Sequence, residues 1–268
     1  MLYALIVILI AGVWLLLYGW WDTNHFLVRE TEIELDKLPK TFDGFTILQV
    51  SDLHDRSYGK NGMALIRAIQ GLSFDCIAVT GDLVDRHRPN KRENGRRFIR
   101  EAVKLGAVYF IQGNHEWKIG GWPDIKAELA RRGVRVLDNE KVTLQQGDDR
   151  LDLIGSGEKA TVEEILPLVA KDTCSILLAH HPERLPEYAQ TGADLVLSGH
   201  AHGGQVRLFG HGLYSPDQGI LPRYTSGVYV CGKTKLYVSR GAGNHSFLVP
   251  RVFDRPEIDL ITLKTPSR

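Results

Sequence analysis

Cysteine is scarce in this sequence, with three residues in 268. Cys76, Cys174 and Cys231 are odd in number, none has C-x-x-C spacing, and each lies in or beside an expected strand. That pattern argues for buried reduced thiols and against a disulfide framework or a redox motif. Charge of one sign is lacking too: 33 Lys and Arg against 32 Asp and Glu leave a net charge of +1. Such a balance gives no global attraction to nucleic acid, and no nucleic-acid partner is expected. There is no internal repeat, no low-complexity tract and no convincing linker after residue 40. Long apolar runs are absent from all but one place, so the rest of the chain reads as soluble.

The exception is residues 2–21, which carry no charge and are mostly Leu, Ile, Val and aromatics. About 20 residues at 1.5 Å each span about 30 Å, the thickness of a bilayer core. Trp14, Tyr18, Trp20 and Trp21 gather toward the end of the run, like an interfacial aromatic belt. A basic leader, a shorter apolar core and a small-residue cleavage site, the marks of a secretory signal, are not evident. The expectation is therefore an uncleaved single-span anchor over 1–22. No Lys or Arg precedes it, whereas Arg29, Lys37 and Lys40 follow, which leans toward a cytoplasmic C-terminal domain. Residues 23–44 form a juxtamembrane segment with an alternating edge strand at 30–36, and 45–268 form one catalytic-type domain.

From residue 45 apolar strands alternate with amphipathic helices. Strands are expected at 46–50, 76–80, 107–112, 134–137, 175–179 and 194–198. Helices are expected at 63–70, 93–104, 124–132, 162–169 and 183–190, the last interrupted near its start by Pro186. Residues 142–145 and 151–154 flank Gly147-Asp148-Asp149, a hairpin turn signal. Further strands are expected at 205–208, 228–230, 236–239 and 258–263. The run 194–198 reads as a buried parallel strand, and the fold class is α/β.

Five of the expected strand ends carry polar groups of metal-ligand type. They are Asp52 and His54, Asp82, Asn114, His180, and the pair His200 and His202 in a glycine-rich turn. In open α/β sheets the carboxyl ends of the strands face one crevice, so these scattered residues can converge. Carboxylates, imidazoles and one amide oxygen suit manganese, iron or zinc, and argue against a thiolate-rich structural zinc site. Seven candidates exceed what one ion needs with an open position. Two ions sharing a carboxylate fit better, and such a pair is a recurrent device for in-line phosphoryl displacement. Any single Asp or Asn here is equally a cap or turn residue. The ordered set carries the reading.

In order and spacing, Asp52-Leu53-His54, Gly81-Asp82-Leu83-Val84-Asp85, Gly113-Asn114-His115-Glu116, His180 and Gly199-His200-Ala201-His202 resemble the calcineurin-like metallophosphoesterase family. The resemblance covers about residues 45–210. It implies a four-layer α/β/β/α sandwich around two sheets. It implies two divalent metal ions, manganese ahead of iron or zinc. Asp52, His54 and His202 would hold one metal; Asn114, His180 and His200 would hold the other; Asp82 would bridge them. His115 would act at the leaving-group side without binding metal, kept protonated and oriented by Asp85, and Arg86 would contact phosphate. Hydroxide formed at the metal pair would attack phosphorus in line, and His115 would donate to the departing oxygen. Asp55-Arg56-Ser57-Tyr58 departs from the shorter, glycine-rich turn expected after the first motif. His87, His181, His211 and His245 have no role in the pattern and read as solvent-facing loop histidines.

The anchor makes the chain similar to the membrane-anchored bacterial branch of the family. That branch includes phosphodiesterases and enzymes that cleave UDP-2,3-diacylglucosamine on the lipid A pathway. It implies a place in the inner membrane and a lipid-linked phosphodiester or pyrophosphate substrate. The basic stretch from Arg86 through Arg100 reads first as a solvated helix face and second as an anionic docking surface. Two other classes stay open. A nuclease would need a polynucleotide groove, and a non-catalytic scaffold would predict loss of His115 or of the bridging carboxylate; both residues are present.

Overall fold

Along Cys76–Val79 the side chains alternate between two cores. Cys76 and Ala78 enter one, Ile77 and Val79 the other. A strand buried on both faces must lie between two layers, and period-two alternation decides which residue meets which layer. The same holds for Leu195–Ser198, where Leu195 and Leu197 face the first core and Val196 faces a third.

The structure, a computed structural model, describes residues 1–88, 90–244 and 249–266. His245 and Pro89 of the basic stretch lie outside the described residues. The chain runs α1 (Leu2–Asn24), β1 (Leu27–Glu34), β2 (Thr46–Val50), α2 (Met63–Gln70), β3 (Cys76–Val79), α3 (Glu93–Ala102) and β4 (Ala107–Phe110). It continues through α4 (Asn114–Ile119), α5 (Trp122–Arg131), β5 (Arg135–Val136), β6 (Glu140–Gln146), β7 (Asp149–Gly155), α6 (Val162–Ile165) and β8 (Cys174–Leu178). Then come α7 (Leu185–Thr191), β9 (Leu195–Ser198), β10 (Arg207–Leu208), β11 (His211–Gly212), β12 (Tyr214–Ser215) and β13 (Gly219–Ile220). The last strands are β14 (Gly227–Cys231), β15 (Thr234–Val238) and β16 (Glu257–Lys264).

Two six-stranded sheets have the orders β1-β16-β2-β3-β4-β5 and β14-β15-β9-β8-β7-β6. Each is mixed: β2 to β5 and β7-β8-β9-β15 are parallel, while β16 meets β2, and β6 and β14 meet their neighbours, antiparallel. One core, including Ile47, Tyr109, Ile176 and Tyr237, fills the space between the sheets. A second packs α2, α3 and α5 on the outer face of the first sheet through Ile66, Ile99 and Leu129. The third packs α6 and α7 on the second sheet through Ile165 and Tyr188. The layers are therefore α/β/β/α.

Local sequence explains most of these elements. Leu65, Ile66 and Ile69 are the buried face of α2, as the spacing predicts. Pro186 breaks the expected helix into a 3-10 turn, Pro182–Arg184, and α7, where it occupies the first turn and its missing N–H is not needed. The alternating segment near residue 30 is the outermost strand, β1, and pairs with β16 over eight residues. Helix α4 is not visible in the periodicity because it has only six residues. The expected strand at 205–208 shrinks to Arg207–Leu208 within a small hairpin with His211–Gly212. All three cysteines are unpaired; Cys76 and Cys174 are buried, while Cys231, on the outermost strand of its sheet, is only half-buried.

Helix α1 is the one described helix long and apolar enough to cross a membrane, and its apolar side chains from Leu2 to Leu17 are exposed. Its last turns dock on the domain. Gly19 lies so close to Val252 that a Cβ there would come within 2.9 Å of it. The N–H of Arg251 donates to Thr23 Oγ1 (2.8 Å), and that of Asp254 to Asp22 Oδ2 (3.0 Å).

Candidate metal centre

Five parallel strands from two sheets end at one place. The loops after β2, β3, β4, β8 and β9 bring Asp52, His54, Asp82, Asn114, His180, His200 and His202 together, each at most 5% exposed. Asp52, His54, Asp82, His200 and His202 all have φ between 48° and 65°. For residues with a Cβ the left-handed region costs about 1–2 kcal/mol each. Strain of this kind persists where surrounding structure over-determines it and concentrates at functional sites. Gly199 makes the close approach possible: a Cβ there would run into Ser51 Oγ and Asp52 Oδ2.

The atoms fall into two groups around one carboxylate. Asp82 Oδ1 accepts the backbone N–H of His115 (2.7 Å), which turns Oδ2 inward. That oxygen lies 3.2 Å from His180 Nε2 and 3.9 Å from His54 Nε2, between the two groups. In the first group His54 Nε2 and His202 Nε2 are 3.2 Å apart, and Asp52 Oδ1 is 3.6 Å from His202 Nε2. In the second, His180 Nδ1 donates to the carbonyl of Thr80 (2.7 Å), so its Nε2 presents a lone pair. That lone pair faces the acceptors Asn114 Oδ1 (3.2 Å) and Asp82 Oδ2. Acceptors facing acceptors in a buried pocket require a cation between them. Burial pushes His180 down, but the Asp82 and Asp52 carboxylates outweigh it and hold the imidazole well above its usual range. His200 Nε2 donates to Asp217 Oδ2 (3.0 Å), which leaves Nδ1 as the ligand nitrogen for the group it forms with Asp82 and His180. The donor set thus fits two divalent ions sharing Asp82.

Two buried side chains hold the loops in register. Glu116 accepts the N–H groups of Asp82 (2.9 Å), Val84 (3.1 Å) and Gly113 (2.9 Å), clamping the β3 and β4 loops together. Burial and the Asp82 charge push its carboxyl up to about 8, against the pull of those three donors. Arg251, fully buried, uses Nη2 on the carbonyls of Gly243 (2.6 Å) and Arg240 (2.7 Å) and lies 3.2 Å from His202 Nδ1.

A model of the calcineurin-like phosphoesterase family matches residues 45–204. The chain belongs to this family. It is 32% identical over 254 residues to YkuE, an uncharacterized metallophosphoesterase of Bacillus subtilis, covering 90% of this chain and 87% of that one. It is 28% identical to a transmembrane protein with metallophosphoesterase domain of Danio rerio, with 88% of this chain aligned but only 57% of that longer protein. Among solved structures, the Thermus thermophilus sulfate thiohydrolase SoxB shares the fold, with a TM-score of 0.50 at 15% identity over 85% of this chain and 57% of that one. Family membership makes the chain a metal-dependent phosphoester hydrolase.

Of the expectations for this phosphoesterase, the one for His181 is corrected. Asp85 Oδ1 lies at ion-pair distance from His115 Nδ1, 3.6 Å, and that nitrogen accepts the N–H of Arg86 (3.0 Å). Burial lowers His115 to about 4, so its imidazole is neutral at pH 7 with the proton on Nε2. Asp85 accepts from the His87 N–H (2.9 Å) and Arg88 Nε (2.8 Å). The Arg86 guanidinium turns to the His87 ring (3.2 Å); Arg56, Arg88 and Lys91 are the basic residues lining the cleft. His181 is not solvent-facing. It is buried between Glu158 (2.9 Å) and Glu183 (2.8 Å). His87 and His211 are exposed, as expected.

Four residues escaped the sequence reading. Glu116, Glu158, Asp217 and Arg251 carry no motif signal of their own, except that Glu116 follows Gly113-Asn114-His115. The unusual Asp55–Tyr58 turn also finds a purpose. Asp55 Oδ1 accepts from the Gly95 N–H (2.8 Å), and Arg56 Nη2 donates to Asn24 Oδ1 of α1 (2.7 Å).

Proposed function

We propose that this phosphoesterase is membrane-anchored through α1 and hydrolyses a phosphodiester or pyrophosphate bond of a lipid-linked substrate. One observation carries the reading. A cavity of about 1500 Å³ extends from His54 and His202 to Leu16 and Trp20 of α1. Drug-sized ligands need roughly 300–1000 Å³, so the volume exceeds what a small phosphoester fills. A nucleotide-linked diacyl sugar such as UDP-2,3-diacylglucosamine belongs to the class that matches it.

In this reading Asp52, His54 and His202 hold one divalent ion, Asn114, His180 and His200 the other, and Asp82 both; manganese, iron and zinc all suit these donors. When bound, the pair supplies a nucleophile near neutral pH and balances charge on the phosphoryl oxygens. His115 directs its Nε2–H toward the centre, 4.0 Å from Asp82 Oδ2, and donates it to the departing oxygen. Asp217 and Thr80 orient His200 and His180 through the opposite ring nitrogens. Arg88, whose Nη2 reaches the carbonyl of His54 (3.3 Å), and Lys91 offset headgroup charge at the mouth.

The test is a panel of lipid, nucleotide and nucleic-acid phosphodiesters, with metals removed and restored. Metal-dependent turnover is expected, fastest on lipid-linked substrates. Faster turnover of polynucleotide would favour a nuclease, and no turnover on any diester would favour a scaffold.

A further inference from the structure

We infer that α1 is part of the substrate site itself: Leu16 and Trp20 form one wall of a hydrocarbon-binding cleft that takes the tail of the substrate. The inference rests on the lipid-linked reading above and extends it from tethering to recognition.

Leu16, Trp20, Thr23 and Asn24 of α1 all line the cavity. Their spacing of four, seven and eight residues from Leu16 puts them on one face of a helix. Along the helix the stripe passes from Leu and Trp to Thr and Asn, and the same cavity reaches the candidate ligands His54 and His202. The rest of the lining is mixed in character. Leu213, Val206 and Pro250 supply apolar surface, and Asp55, Arg56 and Arg88 supply charge. An amphiphile with a phosphate at one end fits this lining with its headgroup at His54 and His202 and its chain along Leu16 and Trp20.

The helix is held in place to do this. Thr23 and Asp22 accept backbone N–H groups from Arg251 and Asp254, and Arg56 bonds Asn24. Arg251 also lies 3.2 Å from His202 Nδ1, so the residue that holds the helix touches the candidate metal ligand set. A plain tether needs no such registration. Leu16 and Trp20 nevertheless remain 64% and 65% exposed. Other apolar side chains of α1 are exposed as well, but among them only Leu16 and Trp20 line the cavity that reaches the candidate ligands, and a substrate hydrocarbon chain is the occupant that matches that continuity.

The experiment uses the full chain in lipid nanodiscs and compares ethyl with octyl 4-nitrophenyl phosphate, which share a leaving group. Burying each methylene is worth about fourfold, so wild type is expected to favour the octyl ester by tenfold or more in kcat/KM. Both the Leu16→Ala/Trp20→Ala pair and Leu213→Ala, from the domain's part of the lining, should cut that ratio at least threefold. Val13→Ala/Leu17→Ala, an equally spaced pair outside the cleft, should retain the wild-type ratio. Comparison within identical nanodiscs cancels the partitioning of the octyl ester. If wild type favours octyl and the cleft variants keep the full ratio, the inference is overturned while the lipid-linked reading stands. An equal loss in Val13→Ala/Leu17→Ala also overturns it, because the effect then belongs to the helix as a whole. If wild type shows no chain-length preference, the lipid-linked reading itself fails.

Discussion

The backbone N–H of Arg86 donates to Nδ1 of His115 across 3.0 Å. A backbone amide can only donate, so Nδ1 must accept and the neutral imidazole carries its proton on Nε2. That nitrogen faces the metal centre. Replacing His115 by Ala should therefore keep metal content and lower the rate by about 10²–10⁴-fold on substrates with poor leaving groups. The loss should shrink for p-nitrophenolate, which departs without a proton. Asp85→Asn should barely change this dependence, because Asp85 is beyond hydrogen-bond reach of the ring at 3.6 Å. Rates across a leaving-group series, with metal content measured in each variant, decide the matter; a uniform loss in His115→Ala would reduce the residue to a positioning group.

Asp82 lies between the two candidate ligand groups, with Oδ2 at 3.2 Å from His180 and 3.9 Å from His54. Asp82→Asn removes a charge that both ions would share. Metal analysis should show weaker binding of both ions, not selective loss of one. A single ion per chain in fully active wild type would disprove the dinuclear arrangement.

Glu116 offers two oxygens to three buried N–H groups. An amide has one acceptor, so Glu116→Gln strands at least one donor, at a cost of roughly 1–3 kcal/mol. The expected result is a lower Tm and weaker metal binding together, since the stranded amides belong to the loops carrying Asp82 and Asn114. Unchanged denaturation and metal titration would show that the clamp is dispensable.

Gly241 has φ +77°, and a Cβ there would lie 2.7 Å from the Cβ of Asp52. Gly241→Ala should displace Asp52 and add about 1 kcal/mol of backbone strain. Metal affinity should drop by more than the stability change explains. Tm and metal titration on one preparation separate the two effects.

Burial raises the thiols of Cys76 and Cys174 to about 12, so the reactive thiolate stays unpopulated well above neutral pH. At pH 9 a thiol reagent should modify native protein only at Cys231, and all three sites after denaturation. Reaction of Cys76 without unfolding would mean that its sheet opens locally.

The chain's regular elements and candidate ligands were legible because their signals are local. Apolar runs of strand length, each followed by Asp, Asn or His beside glycine, mark both a buried strand and a polar group at its end. The N-terminal run carried its own message through length and composition. Residues without a local signal stayed hidden. Glu158 and Glu183 enclose His181, which read as a solvent-facing histidine until the fold buried it. Asp217 reaches His200 from a turn that has no motif.

Sequence alone determined the strand order along the chain, the set of candidate metal ligands and the apolar helix, since each rests on residues adjacent in the chain. Tertiary structure decided what those residues do to one another. It split one α/β pattern into two mixed sheets, a matter of long-range pairing such as β1 with β16 across more than 200 positions. It set the Arg86 amide 3.0 Å from His115 Nδ1 and Asp85 Oδ1 3.6 Å from it, a difference of tenths of an ångström that no sequence pattern encodes. It also set the end of α1 against the metal-bearing loops, through contacts between residues 19–24 and 250–254 that no periodicity encodes.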